Sequence, residues 1–186
     1  MKAIILSAGV VLASQGLLSG LDLTPTQSYR ELEGIKIPIV RFSDGSRKVT
    51  YQPPTQWRVS GGGDRVEIIP SEFQRALFQL RVCERPEVAA GQAEDLSKWV
   101  LSFLPEGAED VAPKGEIVGQ FTLGALPSNE RTFSCNLGGR PSTVSVAWVD
   151  LGEKERLAVL VIAGEKDFKA VHEEAIRSLF SWSWND

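Results

Sequence analysis

The sequence predicts an α+β fold: an antiparallel β-sheet with helices packed on both faces, an α/β/α sandwich. Three observations lead there. Short apolar alternations separated by turn residues run from Ile35 to Val82, the signature of consecutive hairpins. Two segments, around Trp99 and around Val171, instead space their apolar residues at a helical period. The run Leu157-Ala158-Val159-Leu160-Val161-Ile162 is apolar at every position, and such a strand belongs in the middle of a sheet covered on both sides.

Taken in order, Ile35, Ile37, Ile39 and Val40 mark a first strand, with Pro38 favouring an edge position. Ser43-Asp44-Gly45-Ser46 is turn chemistry, and Val49-Thr50-Tyr51 is a second strand. Pro53-Pro54 breaks it before Trp57-Arg58-Val59, a third. Gly61-Gly62-Gly63-Asp64 links this to a fourth strand at Val66–Ile69. Ala76, Phe78, Leu80 and Val82 then alternate with Leu77, Gln79, Arg81 and Cys83, as in a half-buried strand. Leu96, Trp99, Val100, Phe103 and Leu104 share one helical face. Glu94 and Asp95 precede it where the helix dipole favours acids, and Pro105 and Gly107 end it. Further strands are expected at Ile117–Leu123, Phe133–Leu137 and Thr143–Trp148, with Gly138-Gly139-Arg140-Pro141 as a turn. A last helix carries Phe168, Val171, Ala175, Ile176 and Leu179 on one face.

The length of 186 residues suits one domain with a targeting segment. The division read from the sequence is a signal peptide at 1–20, a lead-in at 21–33 and a single α+β domain at 34–186. A mature part of about 160 residues buries roughly 70% of its unfolded surface, so folding requires no metal or disulfide. Met1-Lys2 is followed by an apolar stretch from Ala3 to Leu12 and then small residues, the pattern of a secretory signal peptide. An uncleaved anchor and a buried first strand are the competing readings. The opening is similar to that of sugar nucleotidyltransferases, but Ser7-Ala8-Gly9-Val10 lacks their glycine-rich loop and arginine. The expected location is therefore exported, periplasmic or extracellular.

Several chemistries are set aside. The formal net charge of −4 argues against nucleic-acid binding. One histidine, His172, and two cysteines, Cys83 and Cys135, do not assemble a zinc site, and no cofactor is implied. Gly61-Gly62-Gly63-Asp64 lacks the Lys-Ser/Thr and the following helix of a phosphate loop. No G-x-S-x-G motif is present, and His172, beside the apolar face of the last helix, reads as a packed or surface histidine.

Three sets of residues remain as candidates. Export would put Cys83 and Cys135 in an oxidising compartment, where they either pair or stand as a reactive Cys83 and a buried Cys135. Arg47, Lys48 and Arg58, with Arg41 and Arg65, group in the first hairpins as a basic patch for a partner. Trp182 and Trp184 alternate in a tail that either docks on the domain or presents an aromatic anchor. Membrane association is expected only through an uncleaved N-terminus or this aromatic C-terminus.

The segment Val49-Thr50-Tyr51-Gln52-Pro53-Pro54-Thr55-Gln56-Trp57-Arg58-Val59 resembles the start of the PsbP/Mog1/DcrB-like fold group. The closing hairpin, apolar strand and helix ending near Ser178-Leu179-Phe180 resemble its end. The resemblance implies a three-layer α/β/α sandwich and a non-enzymatic accessory or binding role, and carries over no functional residue. The expected function is an exported, non-catalytic accessory or binding protein of the cell envelope, with an envelope protein or small ligand as partner. The alternative is an exported hydrolase using carboxylates, which would hold perturbed ionisable groups in a concave pocket.

Overall fold

The computed structural model describes residues 20–45, 47–86 and 96–185 (backbone only at 117–119). The expected signal peptide, apart from Gly20, lies outside these residues, as do Ser46, Glu94 and Asp95. The elements in order are β1 (Leu21–Leu32), β2 (Ile35–Asp44), β3 (Arg47–Tyr51), β4 (Arg58–Gly62), β5 (Arg65–Ile69) and β6 (Leu77–Glu84). After them come α1 (Leu96–Leu101), β7 (Ala108–Leu123), β8 (Leu126–Leu137), β9 (Pro141–Asp150), β10 (Glu155–Gly164), α2 (Phe168–Leu179) and β11 (Ser183–Asn185).

All strand pairs are antiparallel, and they form two sheets. One has four strands in the order β1-β2-β3-β11, and the other has seven in the order β4-β5-β6-β10-β9-β8-β7. The run at 157–162 becomes β10, the middle strand of the larger sheet, buried on both faces. On one face its Leu157, Val159 and Val161 pack with Phe78 and Leu80 under α2 and the inner side of the smaller sheet, represented by Val40, Phe42, Val49 and Tyr51. On the other, Leu160 and Ile162 join Val144, Val146 and Trp148 beneath α1, which contributes Val100 with Leu96 and Trp99 beside it. Each such aliphatic side chain, once buried, contributes about 1.5–3 kcal/mol.

The expected α/β/α sandwich, with helices packed on both faces of the sheet, is corrected by these observations. Strands take 61% of the described residues and helix 12%, and the large sheet curls as a half-barrel. A second β-sheet is the main partner of one face, and α1 is only six residues long. The extra strand content comes from two places. Residues 21–33, read as a lead-in, form β1 and the turn after it, and β7 begins at Ala108. Both are edge strands. Most of their described side chains face water, so apolar alternation does not reveal them.

The two sheets are joined at the glycine link. The Leu23 amide donates to the Gly63 carbonyl at 2.7 Å, and the Gly63 amide donates to Thr24 Oγ1 at 2.9 Å. Gly61 has φ +120°, and a Cβ there would lie 2.6 Å from the Arg65 carbonyl oxygen. Only glycine fits that position.

Candidate binding surface

His172 is buried on α2, and its Nε2 donates to Glu130 Oε1 on β8 at 2.6 Å. Ser145 on β9 donates to the same oxygen. Glu130 is 1% exposed, and its second oxygen has no partner among the described residues. The ring of Phe168 stacks on His172 with centroids 5.2 Å apart. Serine and histidine thus share one carboxylate oxygen, with no hydrogen bond between the hydroxyl and the imidazole among the described residues. A nucleophile and base need direct contact, with the carboxylate behind the base. The arrangement instead ties α2 to the sheet. The sequence shows His172 on the helix but gives no sign of Glu130 as its partner from another strand.

A second polar cluster lies on the opposite face. Arg156 on β10 is 1% exposed, and its Nε donates to Asp150 Oδ1 at 2.7 Å. The guanidinium sits 4.7 Å from the ring centroid of Trp99 and 5.9 Å from that of Trp148. Such stacking offsets part of the cost of burying the charge. Cys83 lies directly across from Arg156 and donates to its carbonyl at 3.4 Å.

Both cysteines are free thiols, the second of the two alternatives left open by the sequence. Cys83 is on β6 and Cys135 on β8, with β10 and β9 between them. Three strand spacings set their strands about 14 Å apart, and the registers place Cys83 level with Arg156 and Cys135 level with Gly164, far apart along β10, whereas a disulfide needs Cα atoms within about 7 Å. Their side chains share the face under α1. Burial pushes the Cys83 thiol up to about 11, against the opposing pull of Arg156 and Arg81, and raises Cys135 as well. Cys83 is therefore protonated at neutral pH, which makes it a poor nucleophile.

The aromatic tail folds back. Trp182 is 4% exposed and packs among Phe42 and Tyr51, with ring centroids 5.7 and 6.0 Å away. Trp184 is half-buried on β11, opposite Val49, with the Arg47 guanidinium 5.1 Å from its ring. Arg47 also pairs with Asp44. These three side chains are engaged within the domain. Arg58, exposed on β4, borders a separate hollow beside Pro54 and Trp57.

Lys48 is placed differently. It lies on the outer face of the four-stranded sheet in a groove of about 500 Å³ with Tyr29, Arg30, Arg41, Thr50 and Asn185. The register explains the cluster: Arg41 stands between Thr26 on β1 and Thr50 on β3, and Lys48 lies across from Ser43 and Asn185. Asn185 Nδ2 donates to Thr50 Oγ1 at 2.8 Å. Among the described residues, no acid lines the groove. Arg30, Arg41 and Lys48 make no ion pair among the described residues. On a chain of net charge −4, this is a local concentration of positive charge facing water. Sequence reading found Lys48 and Arg41 but missed Arg30, which enters only through β1.

No group of metal-binding side chains occurs among the described residues. None of their helices is long and apolar enough to cross a membrane.

No family model matches the chain, and no curated protein matches it. Among solved structures, it is similar to LpqN of Mycobacterium tuberculosis, described as involved in cell envelope biogenesis. That likeness has a TM-score of 0.50 and 13% identity, and covers 87% of this chain and 91% of LpqN. A protein of unknown function from Pseudomonas aeruginosa, PA94, described as a putative regulator, aligns at 12% identity with a TM-score of 0.41 over 83% of this chain and 94% of that one. What this chain shares with LpqN, at that identity, is a fold.

Proposed function

We propose that the chain is a non-catalytic binding protein of the cell envelope that receives an anionic ligand on the outer face of its four-stranded sheet. The observation that carries this reading is the groove of Arg30, Arg41 and Lys48, which has no acid among the described residues that line it. The export pattern of the first 20 residues supports the compartment. So does the fold likeness to LpqN, a protein described as involved in cell envelope biogenesis. The buried Glu130–His172 and Arg156–Asp150 pairs each join side chains from different elements and hold those elements together, which favours binding over hydrolysis.

The test is retention on immobilised phosphate at pH 7 and low salt. A chain with a pI near 5.2 is expected to pass through unless one face concentrates its positive charge. Retention is expected for the parent chain and loss of it for the variant Arg30→Ser/Arg41→Ser/Lys48→Ser. Passage of the parent chain, or equal retention of the variant, would refute the reading.

A further inference from the structure

Resting on that reading of the groove, we propose that the anion is the surface of an anionic phospholipid bilayer, on which the outer face of β1, β2 and β3 lies flat. Residues directly opposite each other in an antiparallel pair project to the same side of the sheet. The pairs Leu32↔Ile35, Arg30↔Ile37, Ser28↔Ile39 and Thr26↔Arg41 therefore put Leu32, Ile35 and Ile37 on one side with Arg30 and Arg41. The pairs Arg41↔Thr50 and Ser43↔Lys48 bring Lys48 to that side. Leu32 is 55% exposed and Ile35 67%. The face is thus aliphatic at the hairpin end and cationic beside it.

Of the acids nearby, Asp22 shares this face across from Ser43, where its carboxylate accepts from the Thr24 amide, while Glu31 and Glu33 are placed off it. Glu31 pairs across the strands with Lys36 on the opposite side, and Glu33 sits in the turn at the hairpin's end. A tip-first insertion would drag Glu33 into the bilayer. Lying flat leaves it at the aqueous edge.

The two halves of the face choose the occupant. A soluble phosphate would engage the cations and leave Leu32 and Ile35 in water. A second copy docked face to face would set Arg30, Arg41 and Lys48 either against their own counterparts or against Leu32 and Ile35 of the other copy, because a twofold interface presents the same patch twice. A bilayer interface accepts both halves. The aliphatic side chains enter the boundary of the acyl region, and the long cationic side chains reach back to the phosphates.

The experiment is sedimentation of the full chain with vesicles of phosphatidylcholine alone or mixed with phosphatidylglycerol. Every variant keeps residues 1–19, so its difference from the parent reports the hairpin face. Stronger binding to the anionic vesicles is expected, falling about fivefold for each cation removed and about a hundredfold for the triple serine variant. Leu32→Ser/Ile35→Ser is expected to weaken binding about tenfold or more with the same thermal midpoint. If the parent ignores anionic vesicles yet is retained on immobilised phosphate, the lipid proposal fails and the groove reading stands. If the aliphatic variant binds vesicles like the parent, no apolar contact is made and the proposal fails. A parent dimer that dissociates on Leu32→Ser/Ile35→Ser would assign the face to a second copy and overturn it as well.

Discussion

Glu130 and His172 meet only because α2 packs on the face of the sheet to which Glu130 projects, and nothing local to either residue announces the other. The same holds for Arg156, whose indole partners Trp99 and Trp148 come from α1 and β9. The cysteines show how far side-chain alternation reaches at this scale. It places Cys135 in an apolar environment but cannot count the strands between it and Cys83. Both thiols are expected to resist alkylation in the native protein at pH 8 and to label fully after denaturation without reductant. Failure to label after denaturation would mean a disulfide and a different strand order. Burial also makes stability depend on pH. The Cys83 thiol ionises near its ordinary 9.0 in the unfolded chain and near 11 when folded, so the unfolded chain loses its proton first as pH rises. Stability is therefore full below pH 9 and declines between pH 9 and about 11. Cys135 and the buried Tyr51 hydroxyl shift in the same direction. The denaturant midpoint should be flat from pH 7 to 9 and then drop, with part of the drop removed by Cys83→Ser.

Among the elements, strands with a buried face are legible and strands without one are not. The helical face around Val171 forms as its spacing predicts, that around Trp99 is helical only from Leu96 to Leu101 with Phe103 and Leu104 beyond its end, and β6 buries Phe78 and Leu80 on one side. In β1, only Leu21 and Leu23 are buried, and the stretch from Gln27 to Leu32 is held mainly by backbone pairing to β2. Backbone pairing leaves no mark on side-chain pattern, so this segment reads as a polar lead-in. Its turn is Glu33-Gly34, with φ 51° and 80°. A glutamate in the left-handed region is strained, whereas asparagine tolerates it and Asn-Gly is a preferred hairpin turn. Glu33→Asn is expected to raise stability by about 0.5–1 kcal/mol, read as a higher denaturant midpoint with unchanged slope. An unchanged or lower midpoint would show that the turn is not limiting.

For the whole molecule, the boundary of the folded unit follows from β1. A chain beginning at Gly20 is expected to fold cooperatively, because Leu21 and Leu23 remain to fill the core against Tyr51 and Val66. A chain beginning at Gly34 removes those side chains and the hydrogen bonds to the Gly63 link. It should lose at least about 4 kcal/mol, from two Leu side chains at 2–5 kcal/mol each on large-to-small scales. Cooperative unfolding of the Gly34 chain at the parent midpoint would show β1 to be an accessory strand.

By itself the sequence determined which segments bury a face. The doubly apolar run had to become a central strand, the amphipathic segments had to become helices, and the glycine link had to become a hairpin. These are local consequences of periodicity and of backbone freedom at glycine. The tertiary structure alone decided what covers each face. The sequence favoured helices on both sides. Instead, the four-stranded sheet, completed by β1 and β11 at its two edges, shares one side of the large sheet with α2. An apolar face needs burial but does not specify a helix or a sheet as its partner, since transfer from water is non-directional. The groove of Arg30, Arg41 and Lys48 arises the same way. Its cations come from three strands, and the register of backbone hydrogen bonds between those strands brings them together.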